Sequence, residues 1–161
     1  MVHISGPRNI VADQLSRQTI LPSEWTLDPQ SFSWILSLGV SPQVDLFATR
    51  ENARMSQFVS PMMDDLAVAV DAFSLDWNVW RAIYLFPPTS LLHKVLTHLE
   101  SFRGQALLVT PDWPNQSWFP ALSLRARSVL PIPNPRLFQR VRGEIFWSHS
   151  HLYCSLLIWI L

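Results

Sequence analysis

Cysteine, glycine and lysine are all scarce in this chain of 161 residues. The single cysteine, Cys154, excludes an internal disulfide and fits a reducing compartment. The four glycines form no Gly-x-Gly pair, so the turn that brings backbone close to a bound cofactor is missing. A Ser-His-Asp set, a nucleophile elbow and a phosphate loop are missing as well. The sequence therefore offers none of the common catalytic motifs of hydrolases and nucleotide-dependent enzymes.

Long hydrophobic runs are also absent. Residues 2–17 contain no sustained apolar run, so we expect no secretory signal. The apolar run of residues 152–161 is about half as long as a membrane span requires. We interpret it as a truncated or read-through tail, with a buried terminal strand as the alternative. The sequence predicts an intracellular protein, in the cytoplasm or the nucleus, that makes no membrane contact.

The composition is otherwise that of a globular chain. Apolar residues make up 48% and charged residues 15% of the sequence, and its length suits one domain with appendages. The 13 prolines are spread along the chain and argue against a helical bundle. Charge is segregated, because residues 1–124 carry seven basic and eleven acidic side chains, whereas residues 125–161 carry five arginines and one glutamate.

Hydrophobic patterning predicts helices first and strands later. Helices are expected over residues 9–18 and from Pro29, with Asp28 as N-cap and Gly39 after the helix end. Further helices are expected over residues 90–102 and 117–127. The residues predicted to face the core from the second helix are Phe32, Ile35, Leu36 and Leu38. Strands are predicted over residues 43–48, 67–73, 82–86 and 105–110, with a weaker fifth over 129–132. Near-continuous apolar strands alternating with helices indicate an α/β fold with a mostly parallel sheet.

The segment from Met1 to Arg17 contains a specific motif. His3-Ile4-x-Gly6, Asn9 and the Ala12-to-Arg17 sequence ADQLSR match the pattern H-I-x-G-x-x-N-x-x-A-D-x-L-S-R. This pattern resembles the C-terminal end of the ribonuclease H domain in gypsy-like and DIRS-type retrotransposon polyproteins. The resemblance implies that Asp13 is a ligand of the divalent metal (Mg) of the parent ribonuclease H. The remaining carboxylates of a two-metal site would lie upstream of Met1, so Asp13 alone cannot assemble that site.

A second set of motifs covers residues 44–120. In order, these are DLFA at residues 45–48, NA at 52–53, DAF at 71–73 with DW at 76–77, FPP at 86–88, and TP at 110–111 with Trp113. The succession is similar to the adenine methyltransferase-like domain that follows ribonuclease H in DIRS-type elements, and to phage Dam-type enzymes. It implies a small, incomplete Rossmann-like fold over residues 43–133. In that pattern Asp45, Asn52 and Asp71 would line an S-adenosylmethionine pocket. The alternative is that Asp45 and Asn52 serve only to shape turns.

The amine-binding motif of such enzymes corresponds here to Phe86-Pro87-Pro88-Thr89. In amino-methyltransferases the first residue accepts hydrogen bonds from the exocyclic amine, and the last is an aromatic side chain that stacks on the flipped base. Phe86 has no acceptor and Thr89 has no ring. We therefore expect a degenerate site, and we expect the fragment to hold no cofactor of its own.

Aromatic and basic residues later in the chain give a nucleic-acid hypothesis. Trp113 and Trp118 could stack on bases, and a line of arginines could face phosphates. These arginines are Arg125, Arg127, Arg136, Arg140 and Arg142. The alternatives are that the tryptophans fill the core and that the arginines form a solvated tail.

The sequence thus predicts four segments. Residues 1–20 form the end of a ribonuclease H domain, 21–42 a linker and helix, 43–133 a methyltransferase-like α/β domain, and 134–161 a basic then apolar tail. The expected function is that of a retrotransposon reverse transcriptase/ribonuclease H polyprotein fragment, acting with the rest of the polyprotein. A nucleic-acid-binding accessory module (DNA or RNA/DNA hybrid) and a residual S-adenosylmethionine-dependent adenine methyltransferase are the second and third hypotheses.

Overall fold

A computed structural model describes residues 26–141, 144–147 and 155–161, and for 139–141 and 144–147 it describes the backbone only. The helices are α1 (Pro29–Leu36), α2 (Leu92–Leu99) and α3 (Trp118–Arg125), and 3-10 helices cover Ala72–Ser74, Trp77–Val79 and Thr89–Leu91. The strands are β1 (Thr26–Leu27), β2 (Val44–Asp45), β3 (Val59–Ser60), β4 (Ala69–Val70), β5 (Ala82–Leu85), β6 (Gln105–Pro111), β7 (Ser128–Pro131), β8 (Leu137–Val141), β9 (Glu144–Trp147) and β10 (Leu156–Ile160). The helix predicted over residues 9–18, together with Asp13, lies outside the described residues.

The main sheet has five strands in the order β2-β5-β6-β10-β7. β2, β5 and β6 run parallel, with α2 crossing between β5 and β6. β10 runs antiparallel to both of its neighbours, β6 and β7. Two smaller sheets accompany it, an antiparallel β1-β8-β9 sheet and a parallel β3-β4 pair.

The fold is therefore mixed α/β, and the prediction of a mostly parallel sheet is wrong. Half of the pairings in the main sheet are antiparallel. A parallel neighbour requires a long crossover, usually a helix, and α2 provides one between β5 and β6. No helix lies between β7 and β10 in the described part of the chain, where β8 and β9 form a hairpin instead. The chain returns to the sheet from that hairpin in the opposite direction.

Helices cover the main sheet on both faces. Ile83, Leu85 and Leu108 point toward α2 and α3, whose buried residues include Val95 and Leu122. The alternate positions point the other way and pack with Phe32 and Ile35 of α1; they include Ala82, Tyr84, Leu107 and Ile158. This alternation follows from the period of two along a strand. The result is a three-layer arrangement with two apolar clusters.

The sequence signals for α1 are all present in the structure. The side chain of Asp28 accepts a hydrogen bond from the backbone N–H of Ser31 at 3.1 Å, and Pro29 occupies the first turn. Gly39 adopts a φ of +99°, which a residue with a side chain rarely adopts. Phe32 and Ile35 are buried as predicted, but Leu36 is exposed, so its predicted core role is wrong. The helical rotation after Ile35 carries the next side chain away from the sheet.

The strand predictions over residues 82–86 and 105–110 are confirmed as β5 and β6. The strand predicted over residues 67–73 is reduced to Ala69–Val70, which pairs with β3 outside the main sheet. It ends because the backbone of Asp71 turns to φ 62° and a 3-10 helix follows. The strand predicted over residues 43–48 shortens to Val44–Asp45.

The apolar C-terminal run contains the buried strand that was the alternative to a truncated tail. β10 lies between β6 and β7, and the Trp159 side chain is fully buried. Its indole N–H donates to the Thr110 hydroxyl of β6 at 2.8 Å. β10 is consequently an internal strand of the main sheet.

Candidate functional site

A cavity of about 190 Å³ opens where the parallel strands β2 and β5 and the β3-β4 pair reach their carboxyl ends. Open α/β sheets bind ligands at this edge. The wall is mostly apolar, and the residues that line the cavity are Leu46, Phe47, Ser60, Pro61, Asp71, Ala72, Phe73, Pro88, Leu91 and Lys94. Among the predicted site residues, the cavity brings together Asp71 and Pro88.

The predicted amine-binding motif directly follows β5, as expected. Pro88 lines the cavity, and its carbonyl accepts a hydrogen bond from the Leu91 N–H at 3.0 Å, which leads the chain into α2. Phe86 is half-buried and packs on the apolar cluster beside α1. Pro87 is buried and Thr89 is half-buried, and neither lines the cavity. The turn geometry is present, and Pro88 is the one motif residue in the cavity wall.

Asp71 combines an unusual backbone conformation with a place in the cavity wall. Its φ of 62° and ψ of 96° lie in a sparsely populated region for a residue with a side chain. Two hydrogen bonds hold it there: its N–H donates to the Ser60 carbonyl at 2.8 Å, and its carboxylate accepts from the Phe73 N–H at 3.1 Å. This turn carries Ala72 and Phe73 into the cavity wall.

Asp45 ends β2, next in the chain to the cavity residues Leu46 and Phe47, but it is not part of the cavity wall. Its buried carboxylate accepts hydrogen bonds from the N–H groups of Phe47 at 3.4 Å and Arg54 at 3.0 Å. Burial raises the pKa of Asp45 to about 7, against the opposing effects of these two hydrogen bonds and the Arg54 charge. Asp45 therefore anchors the loop that begins at Leu46 and Phe47.

Asn52 organises the same loop. It is buried, and its amide oxygen accepts a hydrogen bond from the Thr49 N–H at 2.9 Å. Neither Asn52 nor Asp45 lines the cavity. The described contacts of both residues fit the turn-shaping alternative, and of the three predicted cofactor residues only Asp71 reaches the cavity.

An aromatic cluster backs the cavity: Phe47, Phe73 and Trp77 belong to the quoted motifs, but the sequence did not predict that they pack together with His98. The ring centroids of Phe47 and Phe73 are 5.5 Å apart, and Trp77 lies 6.5 Å from Phe47. His98 stacks at 4.8 Å from Trp77, and its Nε2 lies 3.0 Å from the Phe73 carbonyl oxygen. The Nζ of Lys94 lies 5.4 Å from the centre of the Phe73 ring, a cation–π distance.

Lys94 is the charged residue of the cavity that sequence reasoning missed. It is the only lysine of the chain. It lies in the amphipathic helix α2, outside the buried face of that helix. The composition alone makes this single lysine conspicuous. Its position beside Phe73, however, depends on how α2 packs against the turn at Asp71, which follows β4. That packing joins residues far apart in the sequence.

The described residues of the nucleic-acid hypothesis differ in burial and lie on different elements. Trp118 is 3% exposed and belongs to the core, so its ring is not accessible to a base. Trp113 is half-buried against the same core cluster. Arg125 lies 3.9 Å from Glu100, and both Arg127 and Arg136 are exposed. The side chain of Arg140 and the whole of Arg142, like Asp13, lie outside the described residues.

Within the described ranges, no group of three His, Cys, Asp or Glu side chains converges as a metal site would require. No helix in those ranges is long and apolar enough to cross a membrane. No protein-family model matches the chain, and the search of curated proteins found no match.

Proposed function

We propose that the chain is the degenerate, adenine methyltransferase-like part of a DIRS-type retrotransposon polyprotein, without methyltransferase activity of its own. The proposal rests on the ordered motifs of the sequence and on the cavity at the carboxyl ends of β2 and β5. The Rossmann-like relationship belongs to the same proposal, because β2, β5 and β6 with α2 form its parallel core. In the parent polyprotein, the neighbouring domains would synthesise DNA on an RNA template and degrade that template.

The absence of methyl transfer is supported by the size and lining of the cavity. Its volume of about 190 Å³ is below the roughly 300 Å³ at which cofactor and ligand pockets usually begin. Phe86 offers no acceptor for an amine and packs on the opposite side of the sheet. An amine buried without an acceptor loses about 1–3 kcal/mol of binding free energy. S-adenosylmethionine and a flipped adenine therefore do not fit the residues present.

Isothermal titration calorimetry with S-adenosylmethionine tests this proposal. We expect no binding heat with the wild-type chain, and none with the Asp71→Asn variant as a matched control. Saturable binding that the Asp71 variant loses would overturn the proposal. It would favour the residual methyltransferase instead.

A nucleic-acid-binding module is the second candidate, and the charge distribution of the late segment favours it. Between Trp113 and Gly143 the chain carries five arginines and no acidic residue. Binding would have to rely on phosphate contacts, because Trp118 is buried. Fluorescence anisotropy with single-stranded DNA at several salt concentrations tests this candidate. The candidate requires an affinity that falls steeply with salt and falls uniformly across sequences in the Arg127→Ala/Arg136→Ala variant.

A further inference from the structure

Large apolar side chains that remain exposed are concentrated in two segments of the described chain. One group consists of Met62, Met63, Leu66 and Val68, between β3 and β4. The other consists of Leu124 at the end of α3 and Val129 of β7, which lies on the α3 side of the sheet opposite Trp159; Leu130 is also exposed but points to the other side. Met63 is 90% and Leu124 89% exposed, so these side chains contribute little to the core. Clustered exposed apolar side chains mark interaction surfaces more often than scattered ones do.

The first group lies among acidic residues, and we call it the acidic face. From Met55 to Trp80 the chain carries four aspartates and no lysine or arginine. Asp65, Asp71 and Asp76 of this segment are exposed. Arg50 reaches this face from outside the segment and lies 2.7 Å from Asp64 and 3.0 Å from Asp65. Lys94 lines the same cavity as Asp71.

The loop of the acidic face is held in place by its own polar contacts. The carboxylate of Asp64 accepts two hydrogen bonds from Arg50 and one from the Leu66 N–H at 2.9 Å. The Val68 N–H donates to the Phe58 carbonyl at 2.9 Å. These bonds fix the loop while its methionine and leucine side chains point outward. A surface organised in advance loses less conformational entropy when it binds.

The second group lies among basic residues, and we call it the basic face. Arg127 and Arg136 are exposed, and Arg125 makes a 3.9 Å ion pair with Glu100. β7 is exposed along its whole length, and in the described part of the chain it pairs with β10 alone. An edge strand with exposed apolar side chains is suited to contact another protein surface.

The two faces lie at opposite edges of the fold. The main sheet has β2 at one edge and β7 at the other. β3 continues from a bridge between Phe58 and Asp45 of β2, so the acidic face lies beyond the β2 edge. Four strand spacings of about 4.8 Å separate the two edges by roughly 19 Å. One molecule therefore cannot bring its own two faces together.

We infer that the acidic face of one molecule binds the basic face of a second copy of this chain. The apolar groups of both faces meet in the contact, and the arginines of one copy face the aspartates of the other. The contact joins two different surfaces, so it is head-to-tail and leaves one face free at each end. Such contacts extend into open chains or close into rings. The inference does not depend on the methyltransferase-like proposal.

Sedimentation velocity of two complementary variants tests the inference. The Met63→Ser/Leu66→Ser variant loses two apolar side chains of the acidic face. The Leu124→Ser/Val129→Ser variant loses two apolar side chains of the basic face. We expect the wild type to form dimers and larger species as its concentration rises, whereas each variant alone has at least about a tenfold weaker association. An equimolar mixture of the variants is expected to form a dimer and stop there, because each retains one intact face.

Leu36→Ser is the matched control, because Leu36 is an exposed apolar residue of α1 outside both faces. It is expected to associate like the wild type, and circular dichroism checks that each variant folds. Higher salt should weaken the wild-type association, since charge pairs contribute to it. A monomeric wild type, or a mixture that forms no dimer, would overturn the inference. It would also be overturned if the basic-face variant lost binding to single-stranded DNA but associated like the wild type.

Discussion

Asp45 of β2 and Tyr84 of β5 lie side by side in the parallel pairing, and both side chains are buried. Among the described residues, the Tyr84 hydroxyl has no hydrogen-bond partner. Burial raises the pKa of Tyr84, and the nearby Asp45 charge raises it further. A buried carboxyl group and a buried tyrosine thus occupy neighbouring strand positions where β2 ends and the loop with Phe47 begins.

The first prediction concerns the pH dependence of stability. The pKa of Asp45 rises from 3.8 to about 7 on folding, so between these values the folded state holds a proton that the unfolded state has released. Stability therefore falls as pH rises through this window, and the loss levels off above about pH 7. From pH 5 to pH 8 the contribution of Asp45 to the unfolding free energy should drop by about 2–3 kcal/mol.

Urea unfolding of the wild type and Asp45→Asn at pH 5 and pH 8 measures this contribution. Asparagine cannot ionise, and it keeps an acceptor for only one of the two backbone N–H groups that the carboxylate binds. The variant should therefore lose this pH dependence, so that its unfolding free energy relative to that of the wild type is about 2–3 kcal/mol higher at pH 8 than at pH 5. Equal pH dependence in the two proteins would show that Asp45 is ionised throughout.

The second prediction concerns Tyr84→Phe, which removes the buried hydroxyl and keeps the ring. Phe32 packs edge-to-face on this ring with a centroid distance of 5.0 Å, and that contact survives the substitution. Because the hydroxyl is desolvated without a partner, the variant should be as stable as the wild type or more stable by about 1 kcal/mol. Thermal unfolding at pH 5 measures the change, and a loss above about 1 kcal/mol would show that the hydroxyl has a hydrogen-bond partner in the folded protein.

The third prediction concerns Asp28, which joins distant parts of the chain. One carboxylate oxygen caps α1 through the Ser31 N–H, and the other accepts from the Arg136 N–H at 3.0 Å. Asp28→Ala should lower the unfolding free energy by about 2 kcal/mol, because it removes both a helix cap and a link to the start of β8. Asp65→Ala is the control, since that side chain is 90% exposed. Equal effects of the two substitutions in denaturant unfolding would contradict the role of Asp28.

The fourth prediction tests whether β10 belongs to the folded domain. Thr110→Val leaves the buried Trp159 N–H without its acceptor and should cost about 1–3 kcal/mol. Thr110→Ser keeps the hydroxyl and should cost less. If both variants unfold at the same urea concentration as the wild type, residues 155–161 do not pack on β6 as the structure has them.

Local signals in the sequence were sufficient for α1, β5 and β6. The Asp28 cap, Pro29 and Gly39 mark the limits of α1 within a few residues. The short apolar runs of β5 and β6 are typical of buried strands. The direction of β10 was not predictable, because it depends on strands far away in the sequence. A strand that is apolar throughout looks the same in a parallel and an antiparallel pairing.

The sequence predicted where the candidate site lies but not which residues line it. The Pro87-Pro88 turn after β5 indicated the carboxyl edge of the sheet, and the cavity lies there. The inclusion of Lys94 depends on long-range packing of α2 against the turn at Asp71. The sequence also did not predict the burial of Asp45, since an aspartate near the end of a strand more often faces solvent.

The most direct test of the proposed lack of methyltransferase activity is transfer of labelled methyl groups from S-adenosylmethionine to adenine-containing double-stranded DNA. We expect no incorporation above that of a heat-denatured sample of the same chain. Incorporation at the adenine amine that is lost in the Asp71→Asn variant would contradict it, because the cavity would then be a working active site.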